Sequence, residues 1–222
     1  MLPLLLFFFF FKRNRRTDIR VILFYCGYAF LNDNTITKLY ASEKNDYLIL
    51  ILLSLFTVIE YLLFSAFVYL NLPKGLLRKL ILIVSPCFLA YTFFEFVRTQ
   101  DSSIDSPAIT IENILLIIFC MFYFFKEISQ PKSVFIYSSY AFWVIVSILI
   151  YSTGTFFYFA YSDNLSDDEW RKWSIINHIF TVIKNILFGI AVFMPKKVNN
   201  TLQSQEKQYP DQLFDPPPLN PL

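Results

Sequence analysis

Long apolar runs recur along this 222-residue chain and constrain its fold more than any other feature. The hydrocarbon core of a bilayer is about 30 Å thick, and an α-helix needs about 20 apolar residues to cross it. The chain is 56% hydrophobic and only 16% charged, which sets it apart from ordinary soluble domains. We therefore predict an all-α fold, a multi-pass transmembrane helix bundle with short loops, over residues 1–197. The clear runs are 21–31, 47–72, 80–97, 109–125, 134–161 and 173–194.

The beginning and the end of the chain depart from this pattern. Residues 1–11 form an apolar stretch that, at about 1.5 Å per helical residue, reaches only about half-way across a bilayer. Its basic residues follow the apolar stretch, whereas in a signal peptide they precede it. We interpret 1–11 as a short first helix, which gives seven helices, with six as the alternative. Residues 198–222 hold five of the eleven prolines and are predicted to be a disordered, Pro-rich cytoplasmic tail.

The orientation follows from the distribution of Lys and Arg between alternate connections. One set of connections holds 13 of these residues and the other set holds 5. Because basic connections stay in the cytoplasm, the richer set is predicted to be cytoplasmic, with the carboxyl end inside and the amino end outside. The richer set is 12–20, 73–79, 126–132 and 195–222, and the other set is 32–46, 98–108 and 162–172.

Motifs for catalysis and for cofactor binding are not found in the sequence. There is one histidine, the three cysteines form no CxxC pair, and four glycines are too few for a phosphate-binding loop. The basic cluster KRNRR is better explained as a topology anchor than as a nucleic-acid site. We therefore expect no enzyme activity, cofactor, metal or nucleic acid, and a lipid bilayer as the surroundings.

Polar side chains inside the apolar runs carry the functional signal. Since each helical residue is rotated by about 100° from the one before, five polar groups of the last run fall within an arc of about 120°. Such groups need partners in lipid, so this arc is predicted to face the bundle interior and to form a hydrogen-bonded seam or a small polar cavity. A similar arc on run 134–161 includes Ser147 and Tyr151. The five groups of the last run are Asn177, His178, Thr181, Lys184 and Asn185.

Two ionisable residues lie near the middle of their runs. Lys184 is eleven residues from Trp173, and Glu60 is thirteen residues from Tyr47, with both runs entering from the predicted outside. An unpaired charge at this depth costs between about 2.5 and 10 kcal/mol, so we predict a Glu60–Lys184 pair. The pair either fixes helix packing or acts as a switch that responds to a proton or a ligand.

Two further carboxylates, Glu95 and Glu112, lie near the predicted external ends of consecutive runs. The short connection 98–108 makes them candidate neighbours. Close carboxylates resist simultaneous ionisation, which is typical of a proton- or cation-sensing vestibule. The alternative is that both side chains simply reach water at the interface.

The segments FWVIVSILIYSTGTFF at 142–157 and INHIFTVIKNILFGI at 176–190 resemble uncharacterised bacterial seven-helix membrane proteins of unassigned function. More loosely, the chain resembles the membrane input part of seven-helix sensor kinases, without the kinase. The resemblance implies a bacterial inner membrane and a membrane or cytoplasmic signalling partner. We expect a sensory or accessory module with an unknown ligand. The alternatives are a small transporter or channel for a proton, ion or small molecule, and a membrane scaffold or assembly factor.

Overall fold

The computed structural model describes residues 17–41, 46–98, 106–129, 139–162 and 167–194. Within these ranges the secondary structure is entirely α-helical. Five helices, α2 to α6, are long and apolar enough to cross a membrane, so the chain is a helical, multi-pass membrane protein. The helices are α1 (Thr17–Ala41), α2 (Asp46–Asn71), α3 (Leu76–Arg98), α4 (Ser106–Ile128), α5 (Tyr140–Ser162) and α6 (Asp167–Phe193).

The described residues contain six helices, which is the alternative count, and do not show seven. The predicted first helix at 1–11 and the predicted tail at 198–222 both lie outside the described residues. The runs 47–72, 80–97 and 109–125 agree with α2, α3 and α4 to within about four residues at each end.

The first described helix is much longer than the predicted run 21–31, and the predicted loop 32–46 is wrong over most of its length. No Gly or Pro follows Gly27 within α1, so nothing in the backbone ends the helix where the apolar residues end. The second half of α1 is polar, which explains why it was read as a loop. Its short polar side chains bond to carbonyls one turn back, at 2.6 to 2.8 Å, in Asn34, Thr35 and Thr37.

The last helix also begins earlier than predicted. Helix α6 starts at Asp167, inside the predicted external loop 162–172, and carries the polar sequence DDEWRK in its first turns. Acidic residues in a first turn are favourable because they face the positive end of the helix dipole. The prediction placed this boundary by hydropathy alone, and hydropathy does not report helix propensity.

Helix α2 lies at the centre of the bundle. It packs against α1, α3, α4 and α5, while α5 and α6 form the most extensive helix pair. Helix α1 packs extensively only along α2. Consecutive helices alternate in direction, so one end of the bundle holds the end of α1 and the start of α2. We name it the open end, and the opposite one the closed end.

Large aromatic side chains fill the half of the bundle towards the closed end. They repeat along α2 at helical spacing, which puts them on the faces that its neighbours cover. The ring centroids of Tyr25 and Phe64 are 4.5 Å apart, and those of Tyr61 and Phe88 are 4.3 Å apart. The largest fully buried side chains are Tyr61, Phe64, Phe67, Phe119 and Phe188.

A small residue lets α5 and α6 approach closely. Gly154 of α5 lies directly against the ring of Phe180 of α6, so a Cβ atom at this position would collide with the ring. On either side of this contact, Ser147 donates to the Lys184 carbonyl and Thr155 donates to Asn177 Oδ1, both at 3.0 Å. Small residues at such crossings are typical of helix packing in membranes, where van der Waals contact and hydrogen bonds drive association.

Substituting two of the helical glycines, Gly154 and Gly27, is expected to have opposite effects. Gly154→Ala should lower the unfolding temperature in detergent, because overpacking costs about 1–3 kcal/mol and Phe180 must move. Gly27→Ala is the matched control: its Cβ meets no atom within 4 Å, so the change should leave stability equal or raise it by up to about 1 kcal/mol. Equal losses in both variants would contradict the proposed close approach of α5 and α6.

Candidate intramembrane polar site

A buried ion pair joins α2 and α6 at mid-depth. Lys184 Nζ lies 3.4 Å from Glu60 Oε1, and the two side chains are only 4% and 6% exposed. The two residues predicted to pair are therefore in contact. Glu60 lies eleven residues before Asn71 and Lys184 lies nine residues before Phe193, so both are far from the ends of their helices.

Two tyrosine hydroxyls complete the coordination of the pair. Tyr25 of α1 donates to Glu60 Oε1 at 2.6 Å and accepts from Lys184 Nζ at 2.5 Å. Tyr151 of α5 donates to Glu60 Oε2 at 3.2 Å. Both carboxylate oxygens thus accept hydrogen bonds, and four helices contribute one residue each. We name Tyr25, Glu60, Tyr151 and Lys184 the Lys184 cluster.

Aromatic faces surround the ammonium group. Lys184 Nζ lies 3.3 Å from the ring centroid of Tyr151, 5.0 Å from that of Tyr25 and 5.8 Å from that of Phe64. Ring faces attract cations, and the attraction reaches about 2 kcal/mol or more at desolvated sites. The rings therefore offset part of the cost of removing the ammonium from water.

A polar cavity of about 570 Å³ adjoins the cluster between α1 and α6. We name it the α1–α6 cavity. It lies where these two helices diverge, because α1 packs along α2 and α6 packs along α5. The polar half of α1 forms one wall, with Asn32, Asp33 and Thr37. The opposite wall and the floor contain Tyr151, Asn177, His178, Thr181, Lys184 and Asn185.

The predicted polar arc of α6 is brought together, but not as a buried seam. Lys184 alone is buried; Asn177, Thr181 and Asn185 are half-buried, and His178 is exposed. All five line the α1–α6 cavity, which is the second of the two arrangements expected for this arc. Ser147 is fully buried, lines neither cavity and donates a hydrogen bond to the Lys184 carbonyl.

The described structure gives Glu95 and Glu112 different surroundings, while their predicted proximity stays a prediction. Glu95 is half-buried and lies 4.0 Å from Arg98 on its own helix. Glu112 is 2% exposed, so the alternative that it reaches water at the interface is wrong. Helix α4 begins at Ser106, which sets Glu112 deeper than the predicted start at 109 implied. Glu112 shares a second cavity with Glu60, and Glu95 lines neither cavity.

Tyr25 is the functional residue that the sequence did not identify. The signal was present, since Tyr25, Asn32 and Asp33 recur at helical spacing, but it is visible only once α1 continues to Ala41. Within the part of the chain that the structure describes, no group of three His, Cys, Asp or Glu residues is arranged to hold a metal ion. The side chains of the Lys184 cluster offer charge, hydrogen bonding and aromatic contact.

No family model, curated protein or solved structure matches this chain. The resemblance of residues 142–157 and 176–190 to bacterial seven-helix proteins therefore stays a prediction. The site has to be interpreted from its own geometry.

Removing one member of the ion pair should destabilise the protein far more than removing both charges. Lys184→Met leaves Glu60 buried without its cation, a change that typically costs about 3–5 kcal/mol. In the double variant Glu60→Gln with Lys184→Met, the neutral amide oxygen still accepts from a tyrosine, and most of the loss should be recovered. The unfolding temperature in detergent and the abundance in membranes are measured for the single and the double variant. Losses that simply add in the double variant would contradict the pairing.

Tyr25→Phe should lower the free energy of unfolding by about 1–3 kcal/mol, because its hydroxyl bonds to two charged groups. Tyr28→Phe, one turn further along α1, is the matched control. The Tyr28 hydroxyl is buried without a hydrogen-bond partner in the described structure, so its removal should be neutral or stabilising. Thermal unfolding compares the two, and an equal effect would contradict the bridging role of Tyr25.

Proposed function

We propose that this protein is a sensory or accessory membrane module, without catalysis of its own, that couples a stimulus at the open end to a partner at the closed end. One observation carries the proposal: both polar cavities lie between the Lys184 cluster, at mid-depth, and the open end, whereas packed aromatic residues fill the half towards the closed end. The resemblance implies the inner membrane of a bacterium, and the Lys and Arg distribution favours a closed end in the cytoplasm.

The packed half argues against transport. A transporter or channel needs polar groups or a cavity along the whole path across the bilayer. Between the cluster and the closed end, the described helices present Phe64, Phe67 and Phe188 instead, each with 0% exposure. A ligand can therefore be held in the open half without a polar route onward.

Helix α1 is the element best placed to pass on the stimulus. Its extensive packing is with α2 alone, and the Lys184–Tyr25 bond links it to α6 across the α1–α6 cavity. A ligand shifts such an arrangement only if it binds one position of α1 better than another. Because the cavity wall includes both α1 and Lys184, a ligand there contacts both sides of the link.

Site-specific crosslinking at the closed end tests this proposal. Arg20 is exposed near that end of α1, so a photoreactive residue there should capture a partner in intact membranes. The matched position is Phe125, which is exposed near the same end of α4. In the Glu60→Gln, Lys184→Met double variant, the bond between α1 and α6 is lost, so we expect the crosslinking yield at Arg20 to change at least about threefold. The crosslinking yield at Phe125 should stay constant.

Two results would contradict the proposal. The first is a chain that crosslinks only to itself at both positions. The second is flux of a proton, an ion or a small molecule in proteoliposomes that the double variant abolishes, which would instead establish the transporter alternative.

A further inference from the structure

The second cavity contains a buried carboxyl group that the Lys184 cluster does not use. The cavity measures about 300 Å³ and is formed by α2, α4 and α5, with α6 and the end of α1 at its rim. Glu112 lines it and is 2% exposed. Its Oε1 atom has no hydrogen-bond partner, and it forms no ion pair within the described residues. We name this space the Glu112 cavity.

The other carboxylate of the cavity is already neutralised. Glu60 pairs with Lys184 and accepts from two tyrosine hydroxyls. Glu112 has no such set, and a lone carboxyl inside the bilayer either takes up a proton or needs a positive charge beside it. The Glu112 cavity therefore has room for one positive charge. The other titratable groups that face it are Tyr40, Glu60, Tyr151, Tyr158 and His178, and no Lys or Arg is among its described lining residues.

Polar groups in the wall of the cavity offer acceptors more than donors. Thr57 donates its hydroxyl to the Leu53 carbonyl at 3.3 Å, and Thr155 donates to Asn177. Asn113 donates an amide N–H to the Ile109 carbonyl at 2.7 Å, which leaves its amide oxygen as an acceptor. A ligand that carries several N–H donors matches these oxygens, whereas an anion or a pure acceptor does not.

Aromatic rings supply the rest of the lining. Phe56, Tyr158 and Phe159 line the same cavity as Glu112. Aromatic faces beside a carboxylate are a recurrent way of binding ammonium groups, because each ring adds cation–π attraction. The volume lies at the lower end of the range for small-molecule sites and equals that of about ten water molecules in the liquid. It fits a small amine and is too small for a peptide.

We propose that the Glu112 cavity binds a small organic ammonium ion, with Glu112 as its counter-ion, the oxygens of Asn113 and Thr155 as acceptors, and aromatic rings around its apolar part. The cavity shares Tyr151 with the α1–α6 cavity, and Tyr151 bonds to Glu60. A ligand beside Glu112 thus lies against two members of the Lys184 cluster, Glu60 and Tyr151. This inference deepens the sensory role and rests on it for the consequence of binding, while binding itself is measured separately.

The test uses the full chain in detergent and benzylammonium chloride as the probe. We expect a concentration-dependent rise in unfolding temperature and a saturable calorimetric titration. Benzyl alcohol, the neutral analogue, should give neither at equal concentration. Glu112→Gln should weaken binding at least tenfold. Glu95→Gln is the matched control, since Glu95 is a half-buried carboxyl that lines neither cavity, and it should bind as the native chain does.

Glu112→Gln is expected to fold, because the change removes an unpartnered buried charge and should leave the unfolding temperature equal or raise it. Should that variant fail to fold, Phe56→Leu provides the second test: it keeps the carboxyl, removes one ring and should weaken benzylammonium binding several-fold.

Three outcomes would overturn the inference. If benzylammonium still binds to the Glu112→Gln variant, its binding site lies outside the Glu112 cavity. If benzyl alcohol binds equally well, the binding depends on apolar contact and not on the positive charge. A Glu112-dependent shift with sodium chloride alone, to which benzylammonium adds nothing, would assign an inorganic cation instead. Binding as expected with no change in crosslinking at Arg20 would leave this inference standing and remove the sensory role.

Discussion

The buried ion pair between Lys184 and Glu60 is the constraint on which the rest of the structure depends. A lysine in the middle of an apolar helix has to find an anion, acceptors or aromatic faces, and here it finds all three at 3.4 Å, 2.5 Å and 3.3 Å. Its partners come from three other helices, so neutralising one charge also fixes how α1, α2, α5 and α6 meet. Tyr25 matters most in this respect, because α1 has extensive backbone packing with α2 alone. The cluster therefore supplies a contact between α1 and α6 that apolar packing does not provide.

A second consequence is the unequal division of the bundle. Towards the closed end, aromatic side chains pack to full burial, and towards the open end the helices leave two polar cavities on either side of the cluster. The polar second half of α1 belongs to this division, since its side chains Asn32, Asp33 and Thr37 line a cavity. A cavity in one half and a packed core in the other suit a protein that binds and responds better than one that conducts. Glu112 gives the open half a charge preference, because its carboxyl has no partner among the described residues.

Sequence reasoning predicted the class of fold and the central pair for clear physical reasons. Bilayer thickness fixes the length of apolar helices, and the cost of a buried charge makes a partner for Lys184 obligatory, with depth selecting Glu60. The length of α1 was missed because hydropathy reports exposure to lipid and not helix formation; a polar helix that lines a cavity looks like a loop. The surroundings of Glu112 were missed because they depend on which helices are neighbours. The order of helices around α2 does not follow from periodicity, so the cavity that Glu112 shares with Glu60 could not be predicted from the sequence.

The central claim is that the Lys184 cluster holds α1 in position relative to α6. Distances between spin labels test it most directly, with one pair at Lys38 of α1 and Ile175 of α6, both exposed, and a reference pair at Val97 of α3 and Ile175. The native cysteines Cys26, Cys87 and Cys120 are replaced first. In the folded Glu60→Gln, Lys184→Met variant, we expect the Lys38–Ile175 distance distribution to shift or broaden while the Val97–Ile175 distribution stays as in the native chain. An unchanged Lys38–Ile175 distribution would show that α1 is held by packing alone and that the Lys184 cluster does not position it.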